Sequence, residues 1–121
     1  MPEGSLVMVV RSGILQHTLP VAILGKPMTI NQDIKGMRFG KEMLAKYFLY
    51  FVVGNNDNLL KTLMKDKSTV DNISHNYLES LLVPLPSKSE QQQIVEYLDE
   101  KTAKIDAILD IKRKQLEILK K

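Results

Sequence analysis

Apolar and polar positions change their period along the chain. Leu6–Val10 is a continuous apolar run between Gly4 and Gly13, the pattern of a short buried strand. Leu19–Leu24 repeats it, with Pro20 tolerable at a strand start, and Met28–Asn31 predicts a third strand. Leu44, Tyr47, Phe48 and Phe51 then fall at i, i+3, i+4 and i+7, which predicts an amphipathic helix from Lys41 to Val53. Glu42, four residues before Lys46, reads as half of a surface pair on that helix. Gly54 stands where a left-handed C-cap belongs, and Asn55-Asn56-Asp57-Asn58 reads as the turn after it. Leu59, Leu60, Leu63 and Met64 predict a shorter helix that runs into the polar Lys65–Thr69. Leu81–Leu85 predicts a last strand, at a sheet edge because Pro84 cannot donate to a ladder.

The second half of the pattern is simpler. All six glycines lie at or before Gly54 and all five prolines at or before Pro86, so 87–121 is open to one uninterrupted helix. Two overlapping capping boxes open it, Ser87-x-x-Glu90 and Ser89-x-x-Gln92. A heptad with alternating steps of three and four runs through Val95, Leu98, Thr102, Ile105, Leu109, Lys112, Leu116 and Leu119, and Ile94, Ile108 and Ile111 widen the stripe. Such a helix is roughly 50 Å long at about 1.5 Å per residue. A body of 88 residues is too small to cover it, so the seam is expected to pair with another helix, as in a coiled coil. The alternatives are a helix folded back on its own domain or frayed beyond Ile111.

Composition narrows the class. The 121 residues suffice for one modest domain, and 44% apolar with 26% charged residues is a globular balance. The start, Met1-Pro2-Glu3-Gly4, lacks the basic and apolar regions of a signal peptide, and no run is long enough to span a membrane. Cysteine is absent, which fits a reducing compartment and a cytoplasmic location. Residues 1–88 carry ten Lys/Arg against seven Asp/Glu, and residues 89–121 carry seven of each. The mildly basic body permits phosphate contact. Three or four short strands and two short helices make a thin body, which is expected of part of something longer.

No pattern of catalysis stands out. Gly36 and Gly40 lack the Gly-Lys-Ser/Thr ending of a phosphate loop. His17 and His75 have no neighbours at metal-ligand spacing, and no Ser occupies a Gly-x-Ser-x-Gly elbow. The polar side chains in predicted turns and strand ends are a different matter, because such positions display functional groups. Arg11, Ser12, Gln16, His17, Gln32, Lys35, Arg38, Lys65, Lys67, Thr69, His75 and Asn76 are candidate DNA contacts. Gln and Asn suit adenine edges and Arg or Lys guanine edges, while lysines more often hold phosphates. For each, a solvated surface role is the alternative. Tyr47, Phe48, Tyr50 and Phe51 read as core rather than as stacking platforms for bases.

The stretch Ile73-Ser74, Leu78, Leu81-Leu82-Val83-Pro84-Leu85-Pro86, Glu90-Gln91, Ile94-Val95 and Leu98-Asp99 resembles the specificity subunits of type I restriction–modification systems. In that family a target recognition domain ends in "PLP", followed by "EQ", an Ile, a Leu-Asp and a long helix. The likeness continues through Ile105-Asp106 to Leu116-Glu117 and Leu119. Upstream, Arg11-Ser12-Gly13, Asn31-Gln32, Tyr47–Tyr50 and Ser68-Thr69 fit the second half of a recognition domain more loosely.

The resemblance implies a mixed α+β recognition-domain piece over 1–86 and a long coiled-coil helix for spacing and assembly over 87–121. It implies a non-catalytic chain whose partners are double-stranded DNA, the modification (methyltransferase) and restriction subunits, and a second recognition half or a second copy through the helix. S-adenosylmethionine and ATP would be bound by the partner subunits, with no cofactor or metal on this chain. A complete subunit carries two recognition domains and two long helices, so independent DNA reading is in question. The competing expectation is an assembly or dimerisation module that no longer reads DNA.

Overall fold

The computed structural model describes residues 1–63, 73 and 75–120, the side chain of Tyr77 excepted. Strands β1 (Leu6–Val9), β2 (Val21–Ile23) and β3 (Ile34–Met37) form an antiparallel sheet in the order β2-β1-β3. Helices α1 (Ala45–Gly54), α2 (Asn56–Leu63), α3 (His75–Glu79) and α4 (Lys88–Lys120) follow. The architecture is mixed α+β.

β1 is the centre of the sheet. Leu6 pairs with Ile23 and with Met37, and Met8 with Val21 and with Lys35. Leu6 and Met8 point to the same face, and both are buried against Leu15, Leu19, Phe48, Val52, Leu59, Leu60, Leu63 and Ile73. Two glycines here differ: Gly4 sets the backbone, and Gly36 lies close under flexible side-chain ends. Gly4 takes a positive φ of 85° at the turn into β1. A Cβ on Gly36 would lie 2.6 Å from the end of the Met1 side chain and 3.0 Å from Ile30.

Several local expectations are corrected. The third strand is 34–37, not Met28–Asn31. The Asn31 carboxamide accepts the Asp33 N–H at 2.9 Å, and the Asn31 carbonyl accepts the Ile34 N–H, so this segment is the turn that feeds β3. Residues 81–85 form no strand. Their path is held instead by the Tyr47 hydroxyl, which donates to the Pro84 carbonyl at 2.7 Å. The helix expected from Lys41 starts at Ala45, because Leu44 is its extended N-cap residue. Glu42 is therefore outside the helix and cannot form the expected i,i+4 pair with Lys46, which bonds to Asp99 instead. Gly54 is the last residue of α1 rather than a left-handed cap. Asn55 closes the end, with its N–H and its side-chain amide both donating to the Phe51 carbonyl.

The Asn-rich stretch expected as a turn begins α2 directly. Asn56 serves the body: its carboxamide oxygen accepts from the Thr18 hydroxyl and the Leu19 N–H, and its amide donates to the Leu19 carbonyl. It satisfies a backbone segment that no strand pairs. Of the four aromatics expected as core, Tyr47 and Phe48 are buried and Phe51 packs against the core, while Tyr50 is half-buried outside it. Phe48 lies between Phe39 and Phe51, with centroids 5.2 and 6.2 Å away, while Tyr47 and Tyr50 use their hydroxyls as ties.

At the start of α4, the Ser87 hydroxyl accepts the Glu90 N–H at 3.2 Å, which forms the hydroxyl half of the first of the two capping boxes. Gln92 bonds to Glu96 instead of reaching back to Ser89. Among α4 residues only Gln91 and Val95 are buried, at 0% and 5% exposure. Both face α1.

A polar loop end and an exposed helix face as a candidate DNA-recognition site

The strand register sorts the candidate DNA contacts. β1 ends at Val9 opposite Ile34, the first residue of β3. The Val10 N–H donates to the Asp33 carbonyl at 2.9 Å, and the Val10 carbonyl accepts the Ile73 N–H at 2.8 Å. Three chain segments are thereby tied at one end of the sheet: the exit of β1, the turn into β3 and the approach to α3. Arg11 and Ser12 follow the first tie, Gln32 sits at the exposed tip of the second, and His75 and Asn76 open α3.

Lys35 bridges two of these segments. Its ammonium lies against Nδ1 of His75, whose Nε2 lies 2.7 Å from Glu79 Oε1. The i,i+4 spacing of His75 and Glu79 on α3 makes the second contact geometrically natural. Among the described residues at this end, Arg11 and Lys35 are matched by Asp33 and Glu79. The described part of this end is rich in directional donors and acceptors and carries no excess formal charge. That suits reading base edges better than gripping phosphates.

The remaining candidates divide. Ser12 caps the 3₁₀ turn Gly13–Gln16, its hydroxyl accepting from the Ile14 N–H at 3.3 Å. Gln16 and His17 are exposed at the end of that turn, beside the same sheet end in sequence. Arg38 follows β3 at its opposite end, after Met37, which pairs with Leu6. It is not brought together with the others. Lys65, Lys67 and Thr69 lie outside the described residues. Glu79 and Asp33 were not among the candidate DNA contacts. Glu79 was legible in the His-x-x-x-Glu spacing, had a helix been expected there. Among the described residues no group of three or more His, Cys, Asp or Glu is placed to hold a metal ion.

The heptad seam of α4 also divides. Val95 and the half-buried Leu98 lie on the part of the helix that packs on the chain's own body, and Thr102 is exposed beyond them. Ile105, Leu109, Lys112, Leu116 and Leu119 are exposed, with Ile105 at 58%, Leu109 at 47% and Leu119 at 81%. Ile108 and Ile111 lie exposed beside them. No helix among the described residues is long and apolar enough to cross a membrane.

Comparison with known proteins adds to this geometry. The family model "Type I restriction modification DNA specificity domain" matches residues 2–119. The chain is similar to the specificity subunit of the type I restriction enzyme EcoR124I/EcoR124II of Escherichia coli, at 32% identity over 120 residues. That alignment covers 99% of this chain and 30% of the relative. It is also similar to the specificity subunit of the type I restriction enzyme MjaIX of Methanocaldococcus jannaschii, at 28% identity over 123 residues, 99% of this chain and 26% of that one. The chain thus spans under a third of the length of these relatives.

Proposed function

Because the chain belongs to the type I restriction modification DNA specificity domain family, we propose that it is a recognition half of a DNA specificity subunit, which directs a methyltransferase to its target. The observation that carries this reading is the convergence of Arg11, Gln32, Lys35, His75 and Asn76 on one end of the sheet. In this reading Gln32 and Asn76 probe base edges from the turn into β3 and the start of α3. Arg11 and Lys35 contribute a guanine or phosphate contact. The chain performs no catalysis. Methylation and cleavage, with S-adenosylmethionine and ATP, belong to modification and restriction subunits that it recruits, in the cytoplasm.

The exposed stretch of α4 supports the second half of the proposal. Six apolar residues at 47–81% exposure on the seam and beside it (Ile105, Ile108, Leu109, Ile111, Leu116, Leu119) are costly to leave in water. They pair with a long helix of a second recognition half, either another copy or another segment, as a coiled coil.

The test is selection from a randomised duplex library by this chain together with a modification subunit. Enrichment of a motif, with affinity falling steeply as salt rises, is the expected outcome. A complex that assembles but enriches nothing would leave the chain an assembly module without DNA reading.

A further inference from the structure

Helix α4 is attached to the body along only its first third. Gln91 is the first tie: its oxygen accepts the Leu44 N–H at 2.9 Å, and its amide donates to the Glu42 and Pro86 carbonyls at 2.7 and 3.0 Å. Val95 is the second, buried one turn on. The third is polar. One oxygen of Asp99 accepts from Lys46 Nζ at 2.7 Å and the other from the Tyr50 hydroxyl.

Residues 91, 95 and 99 recur every four positions and so share one face of the helix. Lys46 and Tyr50 are likewise four apart on α1, which lets both converge on one carboxylate. From Glu100 to Lys120 every residue is exposed.

Two ties one turn apart, about 6 Å, locate a helix but leave its direction loosely defined. A third tie a further 6 Å along constrains it. We propose that Asp99, held by Lys46 and Tyr50, is the positioning residue that fixes the angle at which α4 leaves the recognition body.

The lever is long. Arg113 lies fourteen residues past Asp99, about 21 Å of helix, so a change of 10° at the latch displaces it by about 4 Å. That is close to the rise of one base pair, about 3.4 Å. Exposed ion pairs add little to stability, but direction depends on where the contact sits rather than on its strength. The bearing on DNA rests on the recognition reading above: in an assembled subunit the latch sets how far apart two recognition bodies stand.

The chain has no cysteine, so spin labels attach only where thiols are introduced. Labels on Lys61→Cys in α2 and Arg113→Cys in α4 report the angle as a pulsed-dipolar distance distribution. The labelled chain is diluted into unlabelled chain so that only intramolecular pairs contribute. The expected result is a narrow distribution for the parent, at least doubled in width by Asp99→Ala and narrowed again by the exchanged pair K46D/D99K. Lys46→Ala and Tyr50→Phe broaden it to intermediate widths, and they decide the matter should Asp99→Ala lose its far-ultraviolet circular dichroism. A parent distribution already as broad as that of the variants, or variants as narrow as the parent, would overturn the proposal. No DNA enters this measurement, so a failure of the DNA reading leaves its outcome untouched.

Discussion

The carboxamide oxygen of Gln91 accepts the backbone N–H of Leu44 across 47 residues of chain. Leu44 is the N-cap residue of α1, and its own side chain offers no cap. Gln91 therefore satisfies the backbone at the entry to one helix from within the first turn of another. Its amide also serves the Glu42 and Pro86 carbonyls, so three backbone groups depend on one side chain that is 0% exposed.

Gln91→Leu keeps the volume but orphans those groups. Each buried unsatisfied group costs roughly 1–3 kcal/mol, and partial access to water at the loop brings the expected total to about 3 kcal/mol. Urea unfolding checks this as a lower midpoint with an unchanged slope. Gln91→Glu fares worse at neutral pH than at pH 5, because an ionised carboxylate would face the Glu42 and Pro86 carbonyls.

Asp99 predicts a pH dependence. The Lys46 ammonium, and after it the Tyr50 hydroxyl, hold its carboxyl below the usual carboxylate range. A depressed folded pKa contributes stability that is present above the ordinary value and lost as pH falls through the folded one. Lys46 and Tyr50 are both shifted up, chiefly by their hydrogen bonds to Asp99. Their contributions are present below their ordinary values of 10.5 and 10.0 and lost as pH rises through the folded ones. The latch is thus intact between roughly pH 4 and pH 10. Thermal melts of the parent and Asp99→Asn should differ by a small, constant amount across that window. The difference should vanish below the carboxylate range, and one that persisted there would assign it to packing.

At the loop end, Lys35→Ala should weaken binding to all duplexes and lower the salt slope by about one. It also frees His75, so Glu79→Gln serves as the control for loss of the surface network alone. Gln32→Ala or Asn76→Ala should alter preference among sequences, by roughly 1–3 kcal/mol for a base contact. Arg38→Ala, at the far end of β3, should do neither. Titrations of a duplex panel at two salt concentrations separate these outcomes. An Arg38 effect equal to that of Lys35 would move the interface to the other end of the sheet.

What the sequence revealed follows from physical range. β1, β2 and α4 were legible because their apolar patterns are local and uninterrupted. β3 was misplaced because Asn31 and Asp33 form a turn through one side-chain hydrogen bond, while Ile34-Lys35-Gly36-Met37 has no strong strand pattern of its own. α3 was missed because five residues carry no helical period. Gln91, Asp99 and Asn56 work through bonds across 37 to 53 residues, and no local pattern encodes such partners. The motif around Glu90-Gln91 and Leu98-Asp99 marked two of them without giving their reason. In this chain both residues attach α4 to α1 and the segment before it. Lys65, Lys67 and Thr69 remain candidates from sequence alone.

The seam yields a paired prediction. Val95→Asp places a charge in the chain's own interior and should unfold the body. Leu109→Asp, at a position 47% exposed, should leave the body folded and remove only pairing through α4. Light scattering beside thermal melting distinguishes the two. A parent chain strictly monomeric at tens of micromolar, with no partner present, would count against self-pairing and leave a different helix as the partner.

The last prediction concerns α4 as a spacer. If the helix separates two recognition bodies, its length enters the distance between the half-sites they read. One heptad inserted after Leu109 keeps the apolar seam in phase, so pairing should survive when the partner helix is lengthened equally. The insertion lies beyond the Asp99 latch and leaves the attachment to α1 unchanged, so it alters length without altering the starting direction. It adds roughly 10 Å of helix. At about 3.4 Å per base pair, the preferred spacer should grow by up to about three base pairs, and by less where the helix is inclined to the DNA. Seven residues also turn the helix by about 20° short of two full turns, a rotation that supercoiling of the pair absorbs. The measurement is the set of spacer lengths that the reconstituted methyltransferase modifies before and after insertion. An unchanged preference, in a complex that still assembles and methylates, would reduce α4 to an adhesive element and return the choice of spacing to the partner subunits.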